Sequence, residues 1–133
     1  MAALGITPIL QVLRSIIHDP SDNTQLYLIS ANKTEYDILC REEIDNLHAL
    51  HSCRLRVFYV LSSTDSLTSA WKQGRGRMTE SMIQDYLPAP PCACDDIGGG
   101  KMILSCGPPG MIEALKAGLA NCGWDIERDL VVF

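Results

Sequence analysis

Apolar positions alternate between two periodicities along this chain. From Pro8 to His18, Ile9, Leu10, Val12, Leu13, Ile16 and Ile17 recur at three- and four-residue spacing, which predicts an amphipathic helix. Thr7 is placed to cap that helix, and Pro8 suits its first position, where a missing N–H costs nothing. The pattern breaks at Asp19-Pro20, and Ser21-Asp22-Asn23 has turn composition. Gln25 to Ala31 carries Leu26, Tyr27, Leu28 and Ile29 in succession, a strand apolar on both faces as in a parallel sheet. Thr34 to Asp37 resembles a helix start, and Arg41 to Leu50, with Ile44, Leu47 and Leu50, predicts a short helix. Arg54 to Leu61 is the next strand. Thr79 can cap a helix running through Met82, Ile83, Tyr86 and Leu87 and stopped by Pro88. Pro88 to Gly100 has no periodicity and reads as a loop. Lys101 to Cys106 is a strand, Pro109 to Asn121 a helix, and Leu130 to Phe133 a terminal apolar strand.

Strands and helices in alternation predict an α/β domain, a Rossmann-like parallel sheet flanked by helices. The first helix begins after only Met1-Ala2-Ala3-Leu4-Gly5, so the strand that normally precedes such a helix is expected to be truncated. The chain has 133 residues, 47% of them hydrophobic, a size that fits one domain spanning 1–133. Its formal charge of −5 argues against a nucleic-acid partner, which would need a basic surface. No apolar run approaches the 18 or so residues of a membrane span, so no transmembrane segment is expected. Of six cysteines only Cys92 and Cys94 are closely spaced, and the three histidines add no second cluster. No metal site is therefore expected, and the cysteines are expected to be reduced thiols of a cytoplasmic protein.

Two strand-to-helix junctions could carry chemistry. Gly5-Ile6-Thr7-Pro8 and Cys106-Gly107-Pro108-Pro109-Gly110-Met111 each place glycine at a strand end or its stub and proline at a helix start. Such a junction turns free backbone N–H groups toward an anion at the positive end of the helix dipole. In open α/β sheets ligands bind beyond the carboxyl ends of the strands, where both junctions fall. The alternative is ordinary loop punctuation. Neither junction is a G-x-G-x-x-G motif, and Gly98-Gly99-Gly100-Lys101 lacks the hydroxyl residue of a phosphate-binding P-loop, because Met102 follows.

Gly5-Ile6-Thr7-Pro8-Ile9-Leu10-Gln11, Ala31-Asn32-Lys33-Thr34-Glu35-Tyr36-Asp37-Ile38-Leu39, Cys106-Gly107-Pro108-Pro109 and Val131-Val132-Phe133 occur in that order. Together they resemble the NADH-binding lobe of the NADH–cytochrome b5 reductase family and the similar lobe of assimilatory nitrate reductases, both ferredoxin-reductase-like flavoenzymes. Trp71-Lys72 and Gly76-Arg77 lean toward the nitrate reductase version. The resemblance implies NADH as ligand, FAD held mainly by a barrel lobe supplied in cis or trans and absent from this chain, and a haem-protein electron acceptor such as cytochrome b5. It implies that Gly5, Ile6, Thr7 and Pro8 receive the NADH pyrophosphate, with Thr7 close to the flavin. Asn32 would be a cofactor-binding position, and Asp37 would lie near the adenosine ribose and favour NADH over NADPH. Cys106, Gly107 and Pro108 would wall the nicotinamide, Cys106 near the line of hydride transfer; Met111 would be a further cofactor-binding position, and Phe133 would lie by the flavin or nicotinamide. Thr7 and Cys106 are thus the candidate catalytic positions.

The residues also permit plainer roles: Asp37 can be the capping partner of Thr34, and Phe133 can fill a core. The family's Gly-Gly-Thr-Gly-Ile-Thr-Pro is here Ala2-Ala3-Leu4-Gly5-Ile6-Thr7-Pro8, which adds Cβ atoms where phosphate would approach. A soluble chain with an anchor outside it, attached to the cytosolic face of a membrane, also fits the family. A different class fits as well, a truncated lobe that acts by binding a partner through an unpaired sheet edge.

Overall fold

A computed structural model describes residues 6–63, 71–92 and 100–133. The chain forms two compact units, Met1–Met78 and Thr79–Phe133.

In the first unit, helix α1 (Ile6–His18) is followed by strand β1 (Leu26–Asn32), a 3-10 turn (Glu35–Asp37), helix α2 (Arg41–Leu50) and strands β2 (Leu55–Leu61) and β3 (Gly74–Arg75). The three strands form a parallel sheet in the order β1-β2-β3. β1 and β2 run in register from Leu26 opposite Leu55 to Asn32 opposite Leu61. β2 is the central strand, which is why Phe58, Tyr59, Val60 and Leu61 are all buried. α1 turns Leu10, Leu13 and Ile17 onto Leu28, Leu55, Tyr59 and Leu61, and Ile38 and Ile44 complete the cluster. Arg14 on α1 grips both carboxylate oxygens of Glu43 on α2, a forked ion pair at the surface.

β3 has only two residues, and Gly74 explains why it can pair at all. A Cβ there would lie 3.0 Å from both Phe58 Cζ and Val60 Cγ2, so only glycine brings this backbone so close to β2. Just before it, the Gln73 carboxamide accepts the Tyr59 N–H at 2.7 Å and extends the ladder by one side-chain bond.

The second unit holds helix α3 (Glu80–Tyr86), strand β4 (Ile103–Ser105), helices α4 (Pro109–Asn121) and α5 (Ile126–Asp129) and strand β5 (Leu130–Val132). β4 and β5 are parallel, Ile103 opposite Leu130 and Ser105 opposite Val132. Thr79 caps α3 by accepting the Met82 N–H at 3.2 Å. α3 and α4 meet where Gly118 leaves room for Ile83, whose Cδ1 would sit 2.8 Å from a Cβ. α4 ends in a glycine stop: Gly123 has φ 96°, its N–H bonds the Ala120 carbonyl, and the Trp124 N–H reaches back to Leu119. Asp125 then caps α5 through the N–H groups of Glu127 and Arg128, and the buried Asp129 accepts the Asp125 N–H in return.

Most expected elements are present with ends shifted by a residue or so. Several readings need correction. Thr7 is not the cap of α1, because the helix already includes Ile6, so Thr7 and Pro8 both lie within it. Leu50 is 77% exposed and packs no core, since α2 ends on it and the chain turns away at His51. The Arg54 and Lys101 ends of two expected strands lie outside β2 and β4. Cys40, Cys53, Cys106 and Cys122 are free thiols, but Cys92 is disulfide-bonded, so the expectation of reduced thiols fails there. Gly5 and most of the expected Pro88 to Gly100 loop lie outside the described residues.

Candidate functional site

In the first unit, Arg54 accepts the Leu26 N–H on its carbonyl at the start of β1 and donates from its guanidinium to the Ile16 carbonyl at 3.3 Å. The end of α1 thus lies by the amino ends of the strands and its start toward their carboxyl ends. Ile6 and Pro8 are half-buried there, Ile6 against the core, while Thr7 is exposed. The first turn of α1 contains no acidic residue, and the helix dipole there favours an anion. Asn32 ends β1, and its side chain turns back to donate to Ser30 Oγ at 2.9 Å. Past the strand ends, Ser62 and Ser63 donate their N–H groups to the carbonyls of Asn32 and Lys33, keeping the two chains together.

Asp37 sits on the 3-10 turn that follows. Its Oδ2 accepts both the Thr34 N–H at 2.9 Å and the Thr34 hydroxyl at 2.8 Å. The hydroxyl bond, then the backbone bond, hold its carboxyl below the usual carboxylate range, so it is ionised at neutral pH. The capping alternative is therefore realised. It occupies one oxygen and is compatible with the other accepting a ligand hydroxyl.

A cluster not singled out in the sequence stands behind this turn. Arg41 Nη1 lies 2.8 Å from Glu35 Oε2 and Nε lies 3.6 Å from Asp45 Oδ2. The same guanidinium lies over the rings of Tyr59 and Trp71, 5.6 and 5.9 Å from their centroids. The Tyr59 hydroxyl donates to Asp45 Oδ1 at 2.7 Å; burial, and then this carboxylate, push its pKa well up. The i,i+4 spacing of Arg41 and Asp45 was legible beforehand, but the two rings arrive from β2 and from the segment before β3.

In the second unit, Cys106, Gly107 and Pro108 form the link from β4 to α4, with Cys106 half-buried and its thiol free. The Phe133 N–H donates to the Ser105 carbonyl at 2.9 Å, which sets the last residue beside Cys106 at the carboxyl ends of β4 and β5. Phe133 is 55% exposed and so does not fill a core. Met111 folds over the link so closely that a Cβ on Gly107 would lie 2.0 Å from its Cε. α4 opens with Pro108 as cap and Pro109 as its first residue, again with no acidic side chain in the first turn. The structure thus gathers Cys106, Gly107, Pro108, Met111 and Phe133 in one unit. Ile6, Thr7, Pro8, Asn32 and Asp37 belong to the other. Among the described residues no group of His, Cys, Asp or Glu could hold a metal ion. No described helix is long and apolar enough to cross a membrane.

Parallel strands flanked by helices, with anion-ready helix starts beyond their carboxyl ends, define a nucleotide-binding α/β protein. The family described as "Oxidoreductase NAD-binding domain" matches residues 3–117, and the chain belongs to that family. It is 40% identical over 133 residues to the nitrate reductase [NAD(P)H] of Hordeum vulgare, covering 97% of this chain and 14% of that protein. It is 42% identical over 130 residues to nitrate reductase [NADH] 1 of Phaseolus vulgaris, with 97% and 14% covered. The chain thus spans about one-seventh of these relatives. Among solved structures it is similar to the cytochrome b5 reductase domain of Ulva prolifera nitrate reductase. That match has a TM-score of 0.84 and 31% identity, and covers 98% of this chain and 47% of the other. The resemblance read from the four motifs and the Rossmann-like α/β fold are both confirmed.

Proposed function

We propose that this NAD-binding domain takes NADH and serves as the nucleotide lobe of a flavin-dependent reductase of the cytochrome b5 reductase and nitrate reductase kind. The observation that carries the reading is the pair of helix starts, α1 and α4. Each lies beyond a parallel strand and is free of acidic residues in its first turn, and one is approached through Gly107. Each start, taken within its own unit, suits an anionic group of a nucleotide. In the first unit the start of α1 would hold phosphate, with Thr7 adding a hydroxyl. Asp37 would accept a ribose hydroxyl and disfavour a 2′-phosphate by charge. Cys106 and Phe133 would bound the nicotinamide and keep water from it, Cys106 as a positioning group rather than a nucleophile, since among the described residues no basic hydrogen-bond partner adjoins its thiol.

FAD bound to a barrel lobe would supply the acceptor for the hydride, and a haem protein would take the electrons onward. The contribution of these residues is to hold the nicotinamide face still and dry, which lowers the entropic part of the barrier. Calorimetric titration of the chain with NADH tests the reading. Saturable binding is expected, and no heat at millimolar ligand would replace the reading with that of an interaction module. Diaphorase activity with added FAD is expected to be negligible until a flavin lobe is supplied, and robust turnover without one would overturn that requirement.

A further inference from the structure

We infer that Arg41 is a positioning residue for nucleotide binding: through Glu35 it fixes the turn that presents Asp37. The inference rests on the NADH reading above. None of the three residues of the 3-10 turn is buried, and the chain is anchored on either side of it, by the Lys33 carbonyl that accepts the Ser63 N–H and by Ile38 in the core. Between those anchors two polar ties hold the turn. One is internal, the Thr34–Asp37 cap, which shapes the turn. The other, Arg41 to Glu35 at 2.8 Å, connects the turn to another element.

An isolated surface ion pair would hold little. This guanidinium differs because it is itself held on several sides. Asp45 lies on its Nε side, its Cζ lies 5.6 and 5.9 Å from the ring centroids of Tyr59 and Trp71, and Tyr59 is anchored in turn by Asp45 and by Gln73. Tyr59 is 2% exposed in the central strand, so the chain of contacts runs from the sheet to the turn. A planar, stacked, forked cation is what such a relay needs, and a lysine ammonium cannot reproduce it. The consequence is a turn whose carboxylate is preorganised at the end of β1 before ligand arrives, which reduces the ordering cost of binding.

The sign of one substitution separates positioning from direct attraction. If Arg41 acted by attracting ligand phosphate, Glu35→Gln would release it and remove a repelling charge, so binding would tighten. If Arg41 acts by holding the turn, Glu35→Gln weakens binding. Calorimetry of the full 133-residue chain is expected to show Arg41→Met and Glu35→Gln each raising the Kd about fivefold, equally for NADH and ADP-ribose. The double variant is expected to be no worse than either single one, because both cut the same tie. Arg41→Lys should recover less than half of the loss, and circular dichroism should show all variants folded. Arg14→Gln, which breaks the ion pair on the far side of α2, should leave the Kd unchanged. An unchanged Kd in Arg41→Met, tighter binding in Glu35→Gln or full recovery with lysine would each overturn the inference while leaving the NADH reading intact. A wild-type chain that does not bind NADH would overturn both.

Discussion

Gly107 offers a test that separates packing from ligand approach. Its φ is not in the left-handed range, so alanine meets no backbone penalty there. The obstacle is a single side chain: the new Cβ would sit 2.0 Å from Met111 Cε, and the next nearest atom, Met111 Sδ, is 3.5 Å away. Relieving that overlap requires Met111 to swing out of a half-buried position. Overpacking of this kind costs about 1–3 kcal/mol, and a flexible thioether puts the site near the lower end. Against this, replacing glycine stiffens the unfolded chain and returns about 0.5 kcal/mol. Gly107→Ala should therefore destabilise the wild-type chain by about 1 kcal/mol, or lower its Tm by about 4 °C. In a Met111→Ala background the obstacle is gone, and the same substitution should stabilise by about 0.5 kcal/mol. The coupling, about 1.5 kcal/mol, is read from urea melts of the four proteins. Equal destabilisation in both backgrounds would refute the argument. NADH affinity should behave differently. The added Cβ stands on the link itself, so affinity should fall in both backgrounds even where stability is restored.

Other perturbations follow from the same geometry. Thr79→Ala removes the hydroxyl that accepts the Met82 N–H and should cost about 1 kcal/mol in chemical denaturation. Leu119 and Ile44 are both fully buried, so Leu119→Ala should cost about 3 kcal/mol and Ile44→Val about 1 kcal/mol in the same assay. The carboxyls of Asp37 and Asp129 lie below their ordinary 3.8. For Asp37 the Thr34 hydroxyl is the main cause, and for Asp129 the bond from Arg128, followed by that from the Asp125 N–H. Depressed carboxyl pKa values stabilise the folded state above the unfolded value and lose that effect as pH falls through the folded one. Urea midpoints should thus be flat from about pH 5 to 7 and fall below about pH 4, less steeply in Asp129→Asn.

What could be read beforehand follows the range of the forces involved. α2 and α4 are present with their expected bounds, Arg41–Leu50 and Pro109–Asn121. Their apolar spacing and their stops, Gly123 above all, are local signals. β3 could not be read, because Gly74-Arg75 becomes a strand only by fitting against Phe58 and Val60, more than a dozen residues away. α5 carries a cap in Asp125, but the bond that closes it depends on Asp129 being buried, which four residues of sequence do not reveal. The site shows the same division. Cys106, Gly107 and Pro108 were legible because adjacent residues form the link, whereas the Arg41 cluster was not, because all its partners but Asp45 come from three other stretches of chain. Asp37 shows why the two readings of one residue need not compete. A capping carboxylate offers one oxygen to the turn and retains another. The bonds that cap it also keep it ionised, so the local role supplies the charge that the proposed ligand-binding role would require.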